Sequence, residues 1–335
     1  MTELVLTANA GDGTISTLRL DRDGGRLVPL TTSGEWPGTG TFAIDAARDR
    51  VFVAYKGDPA GIATTTLDRE TGTLTGTARR DVPGSMTYLS LTADGRHLLG
   101  VSYGGGKGWV WPVADDGTVG EPTGEIAYAN LHCIVVDGDL VYAVSLGEDL
   151  IAQYRLDGAH LVPLDPPTVP VPQGCGPRHL CLDGEHAYVI TEFTGEVLHL
   201  RRDDEGRLTL ADRVDTVDPR AGLRRSAIDL DPKTEPLVWG ADVWRAGRYL
   251  LTSERQSSLI ATTRVRDDGS LGEVLHQAPT EKQPRGFTVT SDGAYTIAVG
   301  EKATHAALSR VEADGSLTPL DRAEIGAGAN WVRVL

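Results

Sequence analysis

The sequence predicts an all-β fold, a seven-bladed β-propeller with four-stranded antiparallel blades, and three observations lead to this prediction. First, 40 glycines and 18 prolines among 335 residues are spread between short apolar segments, which is typical of many short strands joined by tight turns. Second, a two-strand pattern recurs at nearly regular intervals along the chain. Third, the two ends of the chain each supply one half of this pattern.

Each repeat unit is an alternating apolar run, a turn often built on Asp-Gly, and a second apolar run. The starts of successive units lie 47, 44, 47, 63, 44 and 45 residues apart, which fits a four-stranded propeller blade with one longer interval. The remaining length of each interval holds two further strands, such as Leu259–Val265 and the segment 269–277. The units are Thr41–Tyr55, Tyr88–Tyr103, His132–Ser145, His179–Glu192, Asp242–Glu254, Gly286–Gly300, and a split unit made of Trp331–Leu335 and Glu3–Ala10.

The split unit predicts how the ring of blades closes. An open ring would leave unpaired sheet edges at its seam, so we expect Trp331–Leu335 to pair with Glu3–Ala10. The one long interval contains a charged, proline-bearing segment at about 215–236, which we expect to form a surface loop. Because closed repeat folds often remain undivided at this length, we expect residues 1–335 to form a single domain.

Composition and charge limit the kinds of partner. The formal net charge of −15 disfavours nucleic acid and anionic membranes, since both need a basic surface. No apolar run reaches membrane-spanning length and the N-terminus lacks signal-peptide features, so we expect a cytoplasmic protein. Neither the three cysteines nor the histidines and carboxylates show metal-ligand spacing. We therefore expect no metal and no other cofactor, and the sequence does not indicate a protein partner.

Ionisable residues flank the repeat units at one end of each strand pair. In a propeller the innermost strand of a blade begins at one mouth of the central channel and the next strand returns to it, so these residues are expected to converge there. Such a ring favours a site for a small anionic or polar ligand, although any single member could instead form a structural pair between blades. The members are Tyr88, Tyr103, His132, Glu148, Arg178, His179, Glu192, Asp242, Glu254, Arg255, Arg285, Glu301 and Lys302.

Four segments carry a family resemblance that extends along nearly the whole chain: GPRH (176–179), SLGEDLIAQYRLD (145–157), GAD (240–242) followed by RYLLTSERQSSLIA (248–261), and PRGF (284–287). Together they resemble the lactonase family of seven-bladed propellers. That family includes bacterial 6-phosphogluconolactonases of the propeller type and fungal carboxy-muconate lactonising enzymes. The chain departs from the family at Ser253–Gln256, where Asn-Arg-Gly is usual, and this leaves room for a substrate other than a sugar.

The resemblance also implies site residues. In the fungal enzymes a histidine, two arginines and a glutamate are implicated, and the positions that match by motif are His132, Arg178, Arg255 and Glu192. The PRH and PRGF motifs of the bacterial members face the same funnel and add His179 and Arg285. The polar ring adds three candidate substrate-binding residues, Tyr103, Asp242 and Glu254.

Metal-independent hydrolysis of a lactone is the reaction that we expect first, with a sugar lactone such as 6-phosphogluconolactone as substrate. A base must activate water while hydrogen-bond donors stabilise the tetrahedral oxyanion. Glu192 or His179 is the candidate base. Arg178 and Arg285 are the candidates for holding the oxyanion and a phosphate or carboxylate of the substrate.

Two alternatives stay open. A muconate-type cycloisomerase would use His132 or Glu192 as the acid that protonates carbon, and Arg178 with Arg255 to orient the carboxylates of the substrate. A non-catalytic propeller would bind a metabolite or a protein on its flat face. The sequence ranks this last reading lower, because its six tryptophans mostly fall in or beside strands, where packing explains them.

Overall fold

The computed structural model describes residues 3–335, apart from the side chain of Thr77. Over this range the chain forms 28 β-strands and one short 3-10 helix, Pro219–Ala221. The strands make seven four-stranded sheets in which every neighbouring pair is antiparallel. The predicted fold class, an all-β seven-bladed propeller, is confirmed.

The first four blades follow the chain from its N-terminus. Blade 1 contains β28 (Ala329–Val334), β1 (Glu3–Asn9), β2 (Thr14–Asp21) and β3 (Arg26–Ser33). Blade 2 contains β4 (Thr41–Asp45), β5 (Arg50–Tyr55), β6 (Gly61–Leu67) and β7 (Leu74–Asp81). Blade 3 contains β8 (Tyr88–Leu91), β9 (His97–Ser102), β10 (Lys107–Pro112) and β11 (Gly124–Ala127). Blade 4 contains β12 (Leu131–Asp137), β13 (Leu140–Ser145), β14 (Leu150–Asp157) and β15 (His160–Pro170).

The last three blades complete the ring. Blade 5 contains β16 (Pro177–Asp183), β17 (His186–Thr191), β18 (Glu196–Arg202) and β19 (Leu208–Asp215). Blade 6 contains β20 (Gly240–Ala246), β21 (Tyr249–Glu254), β22 (Leu259–Val265) and β23 (Leu271–Pro279). Blade 7 contains β24 (Gly286–Val289), β25 (Tyr295–Val299), β26 (His305–Val311) and β27 (Leu317–Glu324).

The innermost strand of each blade contacts the innermost strands of both neighbouring blades, so that the ring is continuous around the channel. The apolar residues that predicted the strands pack between adjacent sheets. Between blades 4 and 5, for example, Val144 and Cys133 belong to one buried cluster with Val189 and Leu180. Burial on both faces explains why the inner strands read as nearly continuous apolar runs rather than as alternating ones.

The seam of the ring closes as the sequence predicts. β28 pairs with β1, with Val334 opposite Val5 and Trp331 opposite Ala8. Trp331 is buried, and its Nε1 donates to the carbonyl oxygen of Phe42 in blade 2, 3.2 Å away. The C-terminal strand therefore completes its own sheet and is also hydrogen-bonded to the next blade.

The long interval in the repeat corresponds to the segment 216–239, which connects β19 to β20 and contains the 3-10 helix but no named strand. Ile228 and Leu230 in its middle are exposed, as expected for a surface loop, whereas Leu237–Trp239 at its end are buried. The end of this loop thus reaches the channel. Within the described part of the chain, no helix has the length and apolar character needed to cross a membrane.

Candidate active site

A cavity of about 350 Å³ opens at the mouth of the channel where the inner strands begin, a size within the range of small-molecule sites. Residues at the starts of the inner strands and residues at the ends of the returning strands both line it. At the starts of inner strands the lining residues include Gly40, Thr87, His132, Trp239, Arg285 and Asn330. At the ends of the returning strands they include Lys56, Tyr103, Glu192 and Arg255.

β-bulges place several of these side chains. The pairing register shifts between Leu131 and Cys133 in blade 4 and between Pro177 and His179 in blade 5, so that His132 and Arg178 are the extra residues. The same shift occurs between Gly240 and Val243 in blade 6, and around Asn330 in blade 1. A bulge bends the strand and re-aims a side chain, which is why bulges are common next to active sites.

Glu192 is the acidic centre of the cavity. Its Oε2 accepts a hydrogen bond from Nε of Arg178 at 2.8 Å and forms an ion pair with Arg255 at 2.9 Å. Its Oε1 accepts one from the indole N–H of Trp239 at 3.2 Å. Burial alone would raise the pKa of Glu192, but the charges of Arg255, Arg178 and Arg285 outweigh it and hold the pKa below its ordinary value. Glu192 is therefore ionised at neutral pH.

Two arginines hold Glu192 in different ways. The side chain of Arg178 is 1% exposed and does not line the cavity, so it supports Glu192 from behind. Arg255 lines the cavity, and its guanidinium lies over the Trp239 ring, 3.8 Å from the ring centre. Burial lowers the pKa of Arg255 to about 9, and Arg178 and Arg285 act in the same direction against Glu192. Arg255 remains charged at neutral pH.

His132 is a neutral histidine in the wall of the cavity. Burial, followed by the charges of Arg178, His179, Arg285 and Arg255, lowers its pKa well below the ordinary value. Its Nδ1 is buried and makes no hydrogen bond within residues 3–335. The ring meets Tyr103 edge to face, with centroids 5.8 Å apart. A buried polar atom without a partner is costly, so this nitrogen is a group that a ligand or water could satisfy.

His179 lies behind the cavity rather than in it. Its Nε2 is 3.1 Å from Nη1 of Arg178, which can only donate, so Nε2 accepts and Nδ1 carries the proton. Nδ1 lies 2.8 Å from Oδ1 of Asp242 and donates to it. Burial and then Arg178 lower the pKa of His179 to about 4, and the ring is neutral. Both nitrogens are engaged, so this placement does not fit the expectation that His179 is the base.

Asp242 and Glu254 do not fit the expectation of substrate binding either. Asp242 is buried against His179 and lines a second cavity of about 350 Å³ at the opposite mouth of the channel. Glu254 accepts backbone N–H bonds from Trp239 at 2.8 Å, Gln256 at 3.1 Å and Ser257 at 2.6 Å. Its carboxylate therefore fixes the end of the loop 216–239 against the turn that carries Arg255.

Arg285 lines the cavity beside Glu301, with Nη1 donating to Oε1 at 2.9 Å. Burial would raise the pKa of Glu301, but the charges of Arg285 and Arg255 outweigh burial and lower this pKa. Among residues 3–335 no group of three or more His, Cys, Asp or Glu side chains is arranged to hold a metal ion. The chemistry available at this mouth is thus that of two arginine-held carboxylates, Glu192 and Glu301, together with the neutral His132, several guanidinium groups and the ammonium of Lys56.

The lining residues that sequence reasoning missed include Lys56, Ser85, Trp239 and Asn330. Lys56 directly follows the returning strand of blade 2, which is the position that Glu192 occupies in blade 5. The repeat therefore contained a signal for Lys56. Trp239 ends a loop that breaks the repeat, and Asn330 is placed by a bulge, so the strand pattern carried no comparable signal for them.

A seven-bladed propeller with an arginine-held glutamate at the channel mouth is the class of protein that the fold and the site define. Comparison with known proteins then gives the family: residues 4–334 match the model described as "Lactonase, 7-bladed beta-propeller". The chain belongs to this family. It is 31% identical to the 6-phosphogluconolactonase of Sodalis glossinidius (strain morsitans), with 100% of this chain and 99% of the relative covered. The 6-phosphogluconolactonase of Serratia proteamaculans (strain 568) shows the same identity and coverage.

Solved structures agree on the fold. A protein from Lactobacillus plantarum superposes with a TM-score of 0.88 at 21% identity, covering 100% of both chains. The periplasmic gluconolactonase PpgL of Pseudomonas aeruginosa superposes with a TM-score of 0.87 at 22% identity, covering 100% of this chain and 99% of its own. The relatives named here give the cycloisomerase alternative no support.

Proposed function

We propose that this protein hydrolyses a sugar lactone such as 6-phosphogluconolactone, without a metal, and that Glu192 is the base. The observation that carries the proposal is the arrangement of Glu192: Oε2 accepts from Arg178 and forms the ion pair with Arg255, while Oε1 accepts, among residues 3–335, only the indole N–H of Trp239. Oε1 thus keeps capacity for the proton of an attacking water. The names of the curated relatives support the substrate class.

The reaction requires a proton to move twice. Water attacks the carbonyl carbon of the lactone while Glu192 takes one of its protons, and the carbonyl π electrons move onto oxygen. The oxyanion then collapses, the bond from the carbonyl carbon to the ring oxygen breaks, and the ring oxygen takes the proton from Glu192. The product is a hydroxy acid, which ionises to its carboxylate at neutral pH.

Arg255 and Arg285 are the groups that we assign to the oxyanion, since both line the cavity while Arg178 does not. Preorganised cationic donors stabilise charge that develops in the transition state. A glutamate with a lowered pKa is a weak base. Hydrolysis of a strained ester tolerates a weaker base than hydrolysis of an amide does. His132 is neutral, so its ring can hydrogen-bond to the water or the substrate without adding charge.

The test measures hydrolysis of fresh 6-phosphogluconolactone and of a panel of plain lactones, with and without EDTA. Glu192→Gln is expected to lower kcat by about 10²- to 10⁴-fold, the usual contribution of general base catalysis. Glu196→Gln is the matched control, because Glu196 lies on the same blade, is buried and is paired with Arg213, but does not line the cavity. EDTA is expected to change nothing.

Two results would contradict the proposal. Full activity of a folded Glu192→Gln variant would exclude Glu192 as the base. Absence of turnover for every lactone by the wild-type protein would exclude the hydrolase function itself. Melting curves of both variants separate loss of catalysis from loss of folding.

A further inference from the structure

The half of the cavity that faces Glu192 from across the channel contains polar side chains with no assigned role. Asn330 belongs to blade 1, Lys56 to blade 2 and Ser85 to the start of blade 3, and all three line the cavity. Blade 2 lies three blades away from blade 5, which carries Glu192. In a ring of seven this is the far side.

Asn330 is the most informative of the three. Its side chain is 8% exposed, Oδ1 is buried without a partner, and Nδ2 makes no hydrogen bond within residues 3–335. A Cβ at Gly40, which also lines the cavity, would lie 3.5 Å from Nδ2, and glycine leaves that space open. Buried amides are normally hydrogen-bonded, so a bulged, unpartnered one beside a cavity indicates a ligand.

Lys56 supplies a positive charge at the same place. Its stem packs against Gly38, where a Cβ would come within 3.1 Å of Cδ. Neither the ammonium of Lys56 nor the hydroxyl of Ser85 has a hydrogen-bond or ion-pair partner among the residues that the structure describes. No carboxylate of the described chain lines this half, although the protein carries a net charge of −15. An ammonium, an amide and a hydroxyl together offer hydrogen-bond donors that suit an anion.

We propose that Lys56, Ser85 and Asn330 form an anion subsite that binds the phosphate of a phosphorylated sugar lactone whose carbonyl lies at Glu192. This assignment rests on the proposed function and narrows it to the phosphorylated substrate class. It also moves the phosphate away from Arg178 and Arg285, the residues that the sequence suggested for it. The arginines are thereby left to the reacting carbonyl and to Glu192.

The experiment compares kcat/KM for 6-phosphogluconolactone with kcat/KM for glucono-1,5-lactone in the wild type and in Lys56→Met. The ratio of the two values is expected to fall about 10- to 100-fold, which corresponds to the loss of a charged hydrogen bond. Lys56→Arg is expected to retain most of the ratio, because it keeps the charge. Lys233→Met makes the same charge change on an exposed residue of the loop 216–239 and is expected to leave the ratio unchanged.

The outcomes separate this inference from the proposed function. An unchanged ratio in Lys56→Met, with hydrolysis intact, overturns the subsite and leaves the lactonase function standing. If the wild type hydrolyses neither lactone, the proposed function fails, and calorimetric titration with 6-phosphogluconate and gluconate decides the subsite. Tighter binding of 6-phosphogluconate that Lys56→Met and Asn330→Ala both weaken supports it, whereas equal affinity for the two acids overturns it.

Discussion

The two sides of the cavity differ in how their polar groups are used. On the side of blades 4–6, the charged groups are already paired: Arg178 and Arg255 with Glu192, while the neutral His179 donates to Asp242 behind the cavity. On the side of blades 1–3, Lys56, Ser85 and Asn330 have no such partners. Apart from the unpartnered Nδ1 of His132, the first side is held in place before a ligand arrives, whereas the second side offers polar groups that no other group of residues 3–335 occupies.

This difference separates two tasks. Preorganised groups lower the cost of reorganisation when charge develops, so the paired side suits the chemical step. Unpaired donors contribute most to the binding of a matching ligand, so the open side suits recognition. We therefore expect substitutions on the paired side to change stability and kcat, and substitutions on the open side to change substrate preference.

The largest effect is expected for Arg178→Met. It leaves the cavity-lining Glu192 short of one partner and removes the donor to the buried His179, and Arg178 itself is buried. Breaking a buried ion pair from one side typically costs about 3–5 kcal/mol, so the free energy of unfolding should fall by that amount and activity should fall with it. Chemical denaturation measures the change.

Arg213→Met provides the control for that measurement. Arg213 is also paired with a glutamate, Glu196, but its side chain is 52% exposed and the two charged atoms are 3.5 Å apart. An exposed pair contributes about 0–1 kcal/mol. If both variants lose the same stability, the paired side of the cavity is not specially preorganised.

A smaller effect, confined to kcat, is expected for Asp242→Asn. The carboxylate accepts from Nδ1 of His179 and from the backbone N–H groups of Val243 and Phe287, so the amide nitrogen of asparagine would face one of these donors and disturb the His179 ring that accepts from Arg178. Arg178 would move and Glu192 with it, so we expect kcat to fall about tenfold, in line with other partners that act through a site residue, while KM changes little. Steady-state kinetics separates the two parameters.

Asp212→Asn is the matched control, because Asp212 bonds to Nδ1 of the buried His199 at the same 2.8 Å but lies in the outer strands of blade 5. It should leave both parameters unchanged. Asp242 and His179 are positioning residues on this account. A rise in KM with unchanged kcat in Asp242→Asn would instead favour contact between Asp242 and the substrate.

The fold was predictable from sequence because a propeller repeats one local pattern, and strands such as β12 and β13 follow from apolar alternation around a turn. The same periodicity predicts which residues stand at the channel mouth, including Glu192 and Arg255. It does not predict orientation. Asp242 and Glu254 lie near the predicted strand ends, but their side chains do not point into the cavity. A bulge directs Asp242 towards His179, and Glu254 accepts from the backbone of the turn that follows it.

The smallest expected effect is on the acid side of the pH profile, and it compares Glu192 with an ordinary carboxylate. A lowered pKa keeps Glu192 ionised until the pH falls below about 4.3, the value of an unperturbed glutamate. The stability that its ion pairs contribute is present above that pH and is lost as the pH falls through the lower pKa of Glu192 in the folded protein.

His132 and His179 stay neutral between pH 7 and pH 5, since both have lowered pKa values. We therefore expect kcat/KM for glucono-1,5-lactone, which has no phosphate to titrate in this range, to be flat from pH 7 to pH 5. An inflection near pH 6.5 would mean that a histidine with an ordinary pKa controls the reaction, and the paired side would then lack the electrostatic order assigned to it.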